Sequence, residues 1–212
     1  MNLKLYGYWR SSASWRVRIA LGLKGLQWQT VSVHLVQDGG QQRKEPHLQR
    51  NPMGQVPVLE VDGQFLSQSL AILDWLDHAV PTPALMPTTP MERAAAFALA
   101  ELVNSGIQPL QNLSVLAAVD ELQAGQRAGW GRRWITSGLD AYAAETVRHM
   151  GRFSVGDAVS WADICLIPQL YNARRFDCDL ARWPALLEIE ARCAALPAFE
   201  QARPERQADA TA

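Results

Sequence analysis

Four prolines within ten residues divide the chain into two stretches with different sequence patterns. They lie at positions 81, 83, 87 and 90, in the segment VPTPALMPTTP. Because proline restricts its own backbone and that of the residue before it, no helix is expected to run through this segment. Residues 81–90 are therefore predicted to be a linker between an N-terminal domain at 1–80 and a C-terminal domain at 91–212.

Strand and helix patterns alternate in the first eighty residues. The segment LKLYGY alternates apolar and polar residues as a strand does, and the helical period that follows it stops at Gly25. QWQTVSVHL is a second strand, and VPVLEVDGQFLS contains two strands joined at Asp62–Gly63, a dipeptide typical of hairpins. SLAILDWLDHA is an apolar helix. This order, β-α-β followed by β-β-α, predicts a thioredoxin-like α/β domain with an irregular stretch near 37–55.

No strand pattern follows the linker. MERAAAFALAELVNSGIQPLQNLSVLAAV is helical with a kink expected at Pro109, and three further segments also have helical patterns. Ser160 precedes Asp163 by three residues before an apolar run, which predicts a helix-capping box. The polar tail RPERQADATA is expected to fray. The predicted fold class is therefore an α/β thioredoxin-like N-terminal domain plus an all-α C-terminal domain.

Composition argues against several classes of partner. Twenty Lys and Arg oppose twenty-one Asp and Glu, so the chain lacks the basic excess of a nucleic-acid binder. No apolar stretch approaches the ~20 residues that cross a bilayer, and MNLKLYGYW does not resemble a signal peptide. The three cysteines form no CxxC pair and the four histidines show no metal spacing. We expect no metal, no membrane, no nucleic acid and a cytoplasmic location.

The segment RSSASW, at residues 10–15, places three serines and an arginine where the first helix begins. Backbone N–H groups and the helix dipole favour an anion there, and a hydroxyl that donates into the same space would stabilise an oxyanion or a thiolate. Capping of the helix by Ser11 or Ser12 is the structural alternative. Arg16 and Arg18, further along the helix, are expected on a solvated face.

Other positions could bind a ligand or could be purely structural. A cis bond between Val56 and Pro57 would leave the backbone of Val56 able to pair with another peptide, like an added strand. Gln68 and Ser69 open a helix, where they could cap it or help it to hold a carboxylate. Three arginines could either be solvated or pair with a substrate carboxylate: Arg10, Arg174 and Arg175.

Five segments, in this order and spacing, resemble the zeta class of glutathione transferases: RSSASWRVRIAL, NPMGQVPVL, QSLAILDWL, GIQPLQNLSVL and NARRF. The resemblance covers nearly the whole chain and implies the glutathione transferase fold, glutathione as cofactor and a homodimer. It also implies cis–trans isomerisation of a maleyl keto acid, with maleylacetoacetate from aromatic amino-acid catabolism as the expected substrate. The alternatives are maleylpyruvate as substrate, general conjugation of small electrophiles, and a non-catalytic glutathione-binding module.

The resemblance further implies roles for individual residues. Ser11 would hydrogen-bond the glutathione sulfur with Ser12 close by, and Arg10 and Arg175 would bind carboxylates of the substrate. The tripeptide would contact residues that are spread along the chain: Gln42 at its glycine end, Val56 before a cis Pro57 at its cysteinyl backbone, Gln68 and Ser69 at its γ-glutamyl carboxylate, and Gln108 and Asn112 in the helical domain. The class often has Cys where this chain has Ala13, so no protein thiol is available there.

Overall fold

The computed structural model describes residues 1–210 and divides them into two compact units. The first unit contains Met1–Ala84 together with residues 195–210, and the second contains Leu85–Ala194. The sequence pattern assigns everything after residue 90 to the helical domain, whereas the structure packs the residues after Ala194 with the first unit.

A four-stranded mixed sheet in the order β2-β1-β3-β4 forms the centre of the first unit. Strand β1 is parallel to β2 and antiparallel to β3, and β3 is antiparallel to β4. The strand bounds are Leu3–Gly7 for β1, Gln29–Ser32 for β2, Val58–Val61 for β3 and Gln64–Ser67 for β4. This confirms the thioredoxin-like α/β arrangement.

The predicted hairpin joins β3 to β4. Asp62 and Gly63 both have positive φ, at 48° and 89°, which a two-residue hairpin turn of type I′ requires. Asp62 also accepts a hydrogen bond from the backbone N–H of Asn2 over 2.7 Å, through its Oδ1. The turn therefore connects the hairpin to the residue that precedes β1.

Three helices belong to the N-terminal part of the first unit. They are α1 at Ser12–Leu23, the short α2 at Glu45–Leu48 and α3 at Ser69–Ala79. The irregular stretch before α2 contains two 3₁₀ turns, at Gln37–Gly39 and Gln41–Arg43. The apolar residues of α1 from Trp15 to Leu21 are buried, and so are Arg16 and Arg18 at 1% and 3% exposure. The expectation of a solvated face at these two arginines is therefore wrong.

The regular elements of the second unit, within Leu85–Ala194, are helical. The α-helices are α4 at Pro90–Glu101, α5 at Leu113–Leu122, α6 at Arg127–Thr146, α7 at Trp161–Arg175 and α8 at Pro184–Ala194. A 3₁₀ turn at Leu180–Arg182 precedes α8. One isolated bridge pairs Met150 with Gly156.

The kink expected at Pro109 is part of a longer irregular segment between α4 and α5. A π-helical turn at Leu102–Ile107 is followed by a 3₁₀ turn at Gln108–Gln111. Pro109 has no N–H to give to an α-helical ladder, which explains the break. Ile107 packs into a notch on α6, where a Cβ on Gly138 would lie 2.2 Å from Ile107 Cγ1. That close approach fixes the position of the irregular segment on α6.

The capping box at the start of α7 is confirmed. Asp163 accepts from the backbone N–H of Ser160 through Oδ2, over 2.8 Å, and the Ser160 side chain accepts from the backbone of Asp163. The other oxygen of Asp163 accepts from the backbone N–H of Ser154, also over 2.8 Å. Asp163 is fully buried, and this burial raises the pKa of its carboxyl. Its contacts are those of a structural cap.

The tail does not fray as the sequence suggests, at least through residue 210; residues 211 and 212 lie outside the described chain. Helix α9 at Pro197–Gln201 packs on α1, where a Cβ on Gly22 would lie 3.1 Å from the Cβ of Ala198. A 3₁₀ turn follows at Pro204–Arg206. Specific contacts to α1 and to the ends of β1 and β2 hold this segment in place, and a local composition pattern does not reveal such contacts.

Residues 1–210 contain neither a helix suited to spanning a bilayer nor a group of metal-ligating side chains. None of the helices there combines the length and the apolarity needed to cross a membrane. Within the same residues, no three His, Cys, Asp or Glu side chains are grouped as metal ligands.

Candidate functional site

Ser11 caps α1 through its side-chain oxygen, and this cap does not use its hydroxyl proton. Its Oγ accepts a hydrogen bond from the backbone N–H of Ser14 over 3.2 Å, and its own N–H donates to the carbonyl of Tyr8 over 3.0 Å. A hydroxyl has two acceptor lone pairs and one donor proton, and the cap uses only a lone pair. Capping and donation to an anion are therefore compatible at Ser11.

The other two serines of this segment occupy different environments. Ser12 is the first residue of α1 and is 8% exposed. Ser14 is fully buried against β1, because a Cβ on Gly7 would lie only 3.1 Å from its Oγ. Ser14 thus permits the close packing of α1 on β1, and only Ser11 and Ser12 remain candidates for contact with an anion.

Arg10 is half-buried and stacks on its neighbour. Its guanidinium carbon lies 5.0 Å from the centre of the Trp9 ring, within the range of a cation–π contact. Trp9 in turn packs edge-on against Tyr8, with ring centres 5.8 Å apart. The stack orients the Arg10 side chain from its base and leaves its N–H donors able to meet a carboxylate.

Gln42 is a buried amide with an unsatisfied acceptor. Its Nε2 donates to the carbonyl of Leu35 over 3.2 Å, while its Oε1 has no hydrogen-bond partner within residues 1–210. Gly40, with a φ of 95°, lies so close that a Cβ there would be 2.8 Å from Gln42 Nε2. A buried polar group without a partner costs about 1–3 kcal/mol, so a ligand with an N–H donor would be stabilised here.

The Val56–Pro57 bond is cis, as the resemblance implies. The carbonyl that precedes Val56 belongs to Gln55, and it is held by two side chains that the sequence analysis did not identify. His47 Nε2 and Asn51 Nδ2 each lie 2.9 Å from that oxygen. Because Nε2 must donate in this contact, His47 carries its proton there. In the sequence, the spacing of His47 from the other histidines argues only against a metal site and does not indicate this contact.

Gln68 and Ser69 lie at the start of α3, and the backbone of Gln68 is unusual. Gln68 has a φ of 67°, in the left-handed region that non-glycine residues rarely adopt, and its side chain does not cap the helix. Such backbone conformations persist where the surrounding structure enforces them, often at ligand sites. The first-turn N–H groups of α3 thus lack a side-chain cap from Gln68, and a carboxylate is favoured there.

Arg16 connects Ser69 to α1. Its Nη1 donates to Ser69 Oγ over 3.2 Å, and both side chains are buried. Arg18, two residues further along, points about 200° away around the helix, so the two arginines meet different neighbours. Arg18 donates to the carbonyls of Trp9 and Ala202. The helical pattern gives no sign of these roles, because Ser69 and Ala202 lie in remote segments of the chain.

The two adjacent arginines at the end of α7 are distinguished by their partners. Arg174 forms a bidentate ion pair with Glu190 of α8, with both N···O distances at 2.6 Å, and this contact raises its pKa. Arg175 has a longer contact, from its Nη1 to Asn172 Oδ1 over 3.4 Å. Because Arg174 is already paired with Glu190 of α8, Arg175 is the better candidate of the two for binding a ligand.

Gln108 begins the 3₁₀ turn that precedes α5, and Asn112 follows it. Asn112 Oδ1 accepts from the backbone N–H of Ser114 over 3.3 Å, so Asn112 has a structural role as the helix cap. The turn between them is held by the indole of Trp130, whose Nε1 donates to the carbonyl of Leu110 over 2.9 Å. Gln108 itself is half-buried at the first position of the turn.

The candidate residues of the first unit are linked in two groups. Arg16 joins Ser69 to the helix that Ser11 caps. Gly54, just before the cis bond, lies against the carbonyl of Gln42, since a Cβ there would be 3.1 Å from that oxygen. Three candidates belong to the second unit, where the contacts described above hold them: Gln108, Asn112 and Arg175.

Comparison with known proteins identifies the family. Residues 1–78 match the family model described as glutathione S-transferase, N-terminal domain. The chain is 46% identical to the maleylacetoacetate isomerase of Mus musculus over 208 residues, which is 98% of this chain and 95% of the relative. These matches cover the thioredoxin-like part and nearly the full length, respectively.

Two solved structures are similar over nearly their whole length. The maleylacetoacetate isomerase of Anaeromyxobacter dehalogenans with bound GSH in the active site has a TM-score of 0.91 and 48% identity, covering 99% of this chain and 98% of the other. A holo maleylpyruvate isomerase, a bacterial glutathione S-transferase of the zeta class, has a TM-score of 0.94 and 38% identity, covering 98% and 100%. The chain therefore belongs to the zeta class of the glutathione transferases, in the family of the maleylacetoacetate isomerases.

Proposed function

We propose that this chain catalyses the glutathione-dependent cis–trans isomerisation of a maleyl keto acid, with maleylacetoacetate as its substrate. The observation that carries the proposal is the geometry of Ser11, whose oxygen caps α1 while its proton remains able to meet an anion. The relatives named maleylacetoacetate isomerase, at 46% identity over 98% of the chain, support the choice of reaction.

The residues of the first unit fit a bound tripeptide. Gln42 has a buried amide oxygen that needs a donor, and the start of α3 offers N–H groups to a carboxylate. We assign Gln42 to the glycine end of glutathione, the main chain of Val56 before Pro57 to its cysteinyl backbone, and Gln68 with Ser69 to its γ-glutamyl carboxylate. We assign two further contacts to the helical domain: Gln108 and Asn112.

Ser11 and the start of α1 hold the sulfur in its charged form. A free thiol has a pKa near ~8.5 and is mostly protonated at neutral pH. Donation from the Ser11 hydroxyl and the positive end of the helix dipole favour the thiolate and lower that pKa. Ser12, at the first position of the helix, lies next to the same space. Bound glutathione supplies a nucleophilic thiolate that adds reversibly to the double bond, which lets that bond rotate.

Arg10 and Arg175 hold the acid groups of the substrate during that rotation. A charge-assisted hydrogen bond contributes about 1.5–3 kcal/mol, so the loss of either arginine is costly to substrate use. The stacking of Arg10 on Trp9 supports the choice of Arg10. The ion pair of Arg174 with Glu190 supports the choice of Arg175 over its neighbour. We accordingly name 1–80 the glutathione-binding domain and 91–212 the substrate-binding domain, with 81–90 as the linker. Three assigned contacts cross this division, from Arg10 to the substrate and from Gln108 and Asn112 to glutathione, and residues 195–210 pack with the first unit.

Two alternatives share the cofactor and differ in the substrate. The similar zeta-class structure of a maleylpyruvate isomerase supports maleylpyruvate as the first alternative. Steady-state rates on both acids decide between them. A general conjugating transferase would consume glutathione, whereas an isomerase returns it, so the thiol concentration over time separates the two. Turnover of any substrate excludes a non-catalytic module.

A homodimer and a cytoplasmic location also belong to this proposal. The zeta-class resemblance implies the dimer, and the cysteine pattern supports the cytoplasmic location. The exposed apolar side chains of Met91 and Phe97 on α4 support an interface on that helix. Sedimentation equilibrium of the purified chain tests the dimer. A mass that stays at one chain across the accessible concentration range contradicts it.

The central experiment separates two roles of Ser11: its side-chain oxygen caps α1, and its hydroxyl donates a hydrogen bond to the sulfur. Ser11→Asp keeps a good N-cap but has no proton to give at neutral pH and places a negative charge beside the sulfur. We expect it to fold with nearly the stability of the parent and to lose isomerase activity by about a hundredfold or more, the loss of one strong donor in a catalytic site. Ser11→Ala should lose both activity and about 1 kcal/mol of stability.

The readouts are cis-to-trans conversion followed by absorbance, with and without glutathione, and urea unfolding. Ser12→Ala is a comparison variant, because it removes the neighbouring hydroxyl and leaves the cap of Ser11 in place; a smaller loss of activity than in Ser11→Asp assigns the main donation to Ser11. If Ser11→Asp isomerises as fast as the parent, or if the parent converts the cis acid without glutathione, the proposed function is wrong.

A further inference from the structure

Two charged side chains from different parts of the first unit hold the main chain of Trp9. The N–H of Trp9 donates to Asp209 Oδ2 over 3.2 Å, and the carbonyl of Trp9 accepts from Arg18 Nη2 over 2.9 Å. Trp9 immediately precedes Arg10 and lies two residues before Ser11. The N–H and the carbonyl of Trp9 are thus both held by hydrogen bonds, directly before Arg10 and Ser11, the residues that carry the proposed chemistry.

Trp9 and Arg10 are the two central residues of a β-turn, since the N–H of Ser11 donates to the carbonyl of Tyr8 over 3.0 Å. That bond leaves the central peptide, between the Trp9 carbonyl and the Arg10 N–H, free to take either of two orientations. The flipped orientation needs a positive φ at Arg10, and Arg10 is not among the positive-φ residues of the described chain. The contact from Arg18 fixes this peptide in the observed orientation.

Arg18 and Asp209 also anchor the tail to the turn. Arg18 is 3% exposed, and its Nε donates to the carbonyl of Ala202 over 3.1 Å. Burial lowers the pKa of Arg18 to about 10, and the nearby Asp209 carboxylate opposes that decrease, so the guanidinium is charged at neutral pH. Asp209 Oδ2 further accepts from the hydroxyl of Ser32 over 2.8 Å, which joins the ends of β1 and β2.

We propose that Asp209 and Arg18 form a clamp on the Trp9 main chain, and that the C-terminal segment is thereby a positioning element for Arg10 and Ser11. The inference rests on the proposed function, because it assigns the clamped turn to substrate and sulfur contacts. Neither clamp residue touches the reacting atoms. Their effect is to hold the two candidate side chains in one geometry before any ligand arrives.

The first readout needs no ligand. In the full-length chain without glutathione, we expect Asp209→Ala to increase the amide hydrogen-exchange rate of Trp9 by about fivefold, the equivalent of one net hydrogen bond of ~1 kcal/mol. Asp209→Asn keeps an acceptor oxygen and should restore part of the protection. Glu205→Gln is the control, because Glu205 lies in the same segment and, within residues 1–210, makes only an exposed ion pair, 3.6 Å from Arg203.

The second readout concerns bound glutathione. We expect Asp209→Ala to raise the pKa of the bound thiol, measured by thiolate absorbance, and to lower kcat/KM for the isomerisation by about fivefold, with Asp209→Asn between it and the parent. Unchanged Trp9 exchange and thiol ionisation in Asp209→Ala overturn the clamp, and so do equal changes in Glu205→Gln. If the parent does not bind glutathione, the proposed function fails while the exchange experiment still decides the clamp.

Discussion

Arg16 Nη1 donates a hydrogen bond to Ser69 Oγ over 3.2 Å, and both side chains are buried. This contact joins α1 to the start of α3, where we place the γ-glutamyl carboxylate of glutathione. We expect Ser69→Ala to destabilise the fold by about 1–3 kcal/mol, since a buried guanidinium loses one acceptor. We also expect it to weaken glutathione binding. Urea unfolding and calorimetric titration measure the two effects.

Ser67→Ala is the control for this substitution. Ser67 lies on the other side of Gln68, at the end of β4, and is only half-buried. It should change stability by less than about 0.5 kcal/mol, as substitutions without such a contact usually do. If Ser69→Ala is as stable as the parent, the Arg16 contact contributes nothing measurable and the link between the helices is wrong.

The pair Arg174 and Arg175 offers a second test within two adjacent residues. Arg175→Ala should reduce kcat/KM for the keto acid by about tenfold or more, because a charge-assisted hydrogen bond to substrate is lost, and should leave glutathione affinity unchanged. Arg174→Ala should leave both kinetic constants near those of the parent and cost at most about 1 kcal/mol of stability, since its ion pair with Glu190 is partly exposed.

Steady-state kinetics in keto acid and glutathione separately measure these effects. Equal loss of substrate use and glutathione binding in Arg175→Ala contradicts its assigned role. A larger loss of substrate use in Arg174→Ala than in Arg175→Ala reverses the assignment of the two arginines.

Gln68 combines an unfavourable backbone conformation with an assigned contact to glutathione. Gln68→Gly should fold with equal or greater stability, because glycine adopts a φ of 67° without the steric cost of a side chain. The same substitution removes the side-chain amide and should weaken glutathione binding several-fold, at about 1 kcal/mol for one hydrogen bond. Thermal unfolding and a glutathione titration of the same samples are sufficient.

Gln68→Ala completes the comparison. It removes the amide but keeps the Cβ, so it should bind glutathione as weakly as Gln68→Gly and be the less stable of the two variants. If Gln68→Gly binds glutathione as well as the parent, the amide does not contact the tripeptide.

The sequence predicts much of the first unit because the signals there are local. The Asp62–Gly63 turn, the alternation in β1 and the cap at Ser11 each depend on residues a few positions apart. The helical pattern predicts a solvated face for Arg16 and Arg18 because two of their acceptors, Ser69 and Ala202, lie 53 and 184 residues away. The spacing of apolar residues along a helix does not reveal that a charged side chain will be buried against such distant partners.

The same limitation explains why the sequence does not predict the packing of the C-terminal tail. A polar, small-residue composition predicts fraying, yet Asp209 finds donors at Trp9 and Ser32. In the second unit, the sequence predicted the break at Pro109 from the chemistry of one residue. It does not predict that the irregular backbone starts at Leu102, nor that Ile107, at the end of the π turn, packs beside Gly138 of a different helix.

The cysteines lead to a prediction about chemical modification. Cys165, Cys178 and Cys193 are all buried, and burial raises the pKa of Cys178 and Cys193. The thiolate is the reactive form, so a raised pKa and poor access both slow alkylation at neutral pH. With Ala13 at the start of α1, we expect iodoacetamide to leave isomerase activity unchanged after removal of the reagent.

The measurement is residual activity together with the mass of the intact chain. Loss of activity that parallels the addition of one alkyl group contradicts this prediction. Denatured protein is the control, in which all three thiols should react.

The π-helical turn at Leu102–Ile107 makes this segment tolerant of losing one residue. A π turn accommodates one more residue than an α-helical turn, so the deletion of a single residue would allow an ordinary α-helix to form. Because the wide turn absorbs its extra residue by unwinding, the residues on either side would keep nearly the same orientation, and Ile107 would stay beside Gly138. A relative that is one residue shorter in this segment would therefore keep the counterpart of Gln108 in nearly the same place.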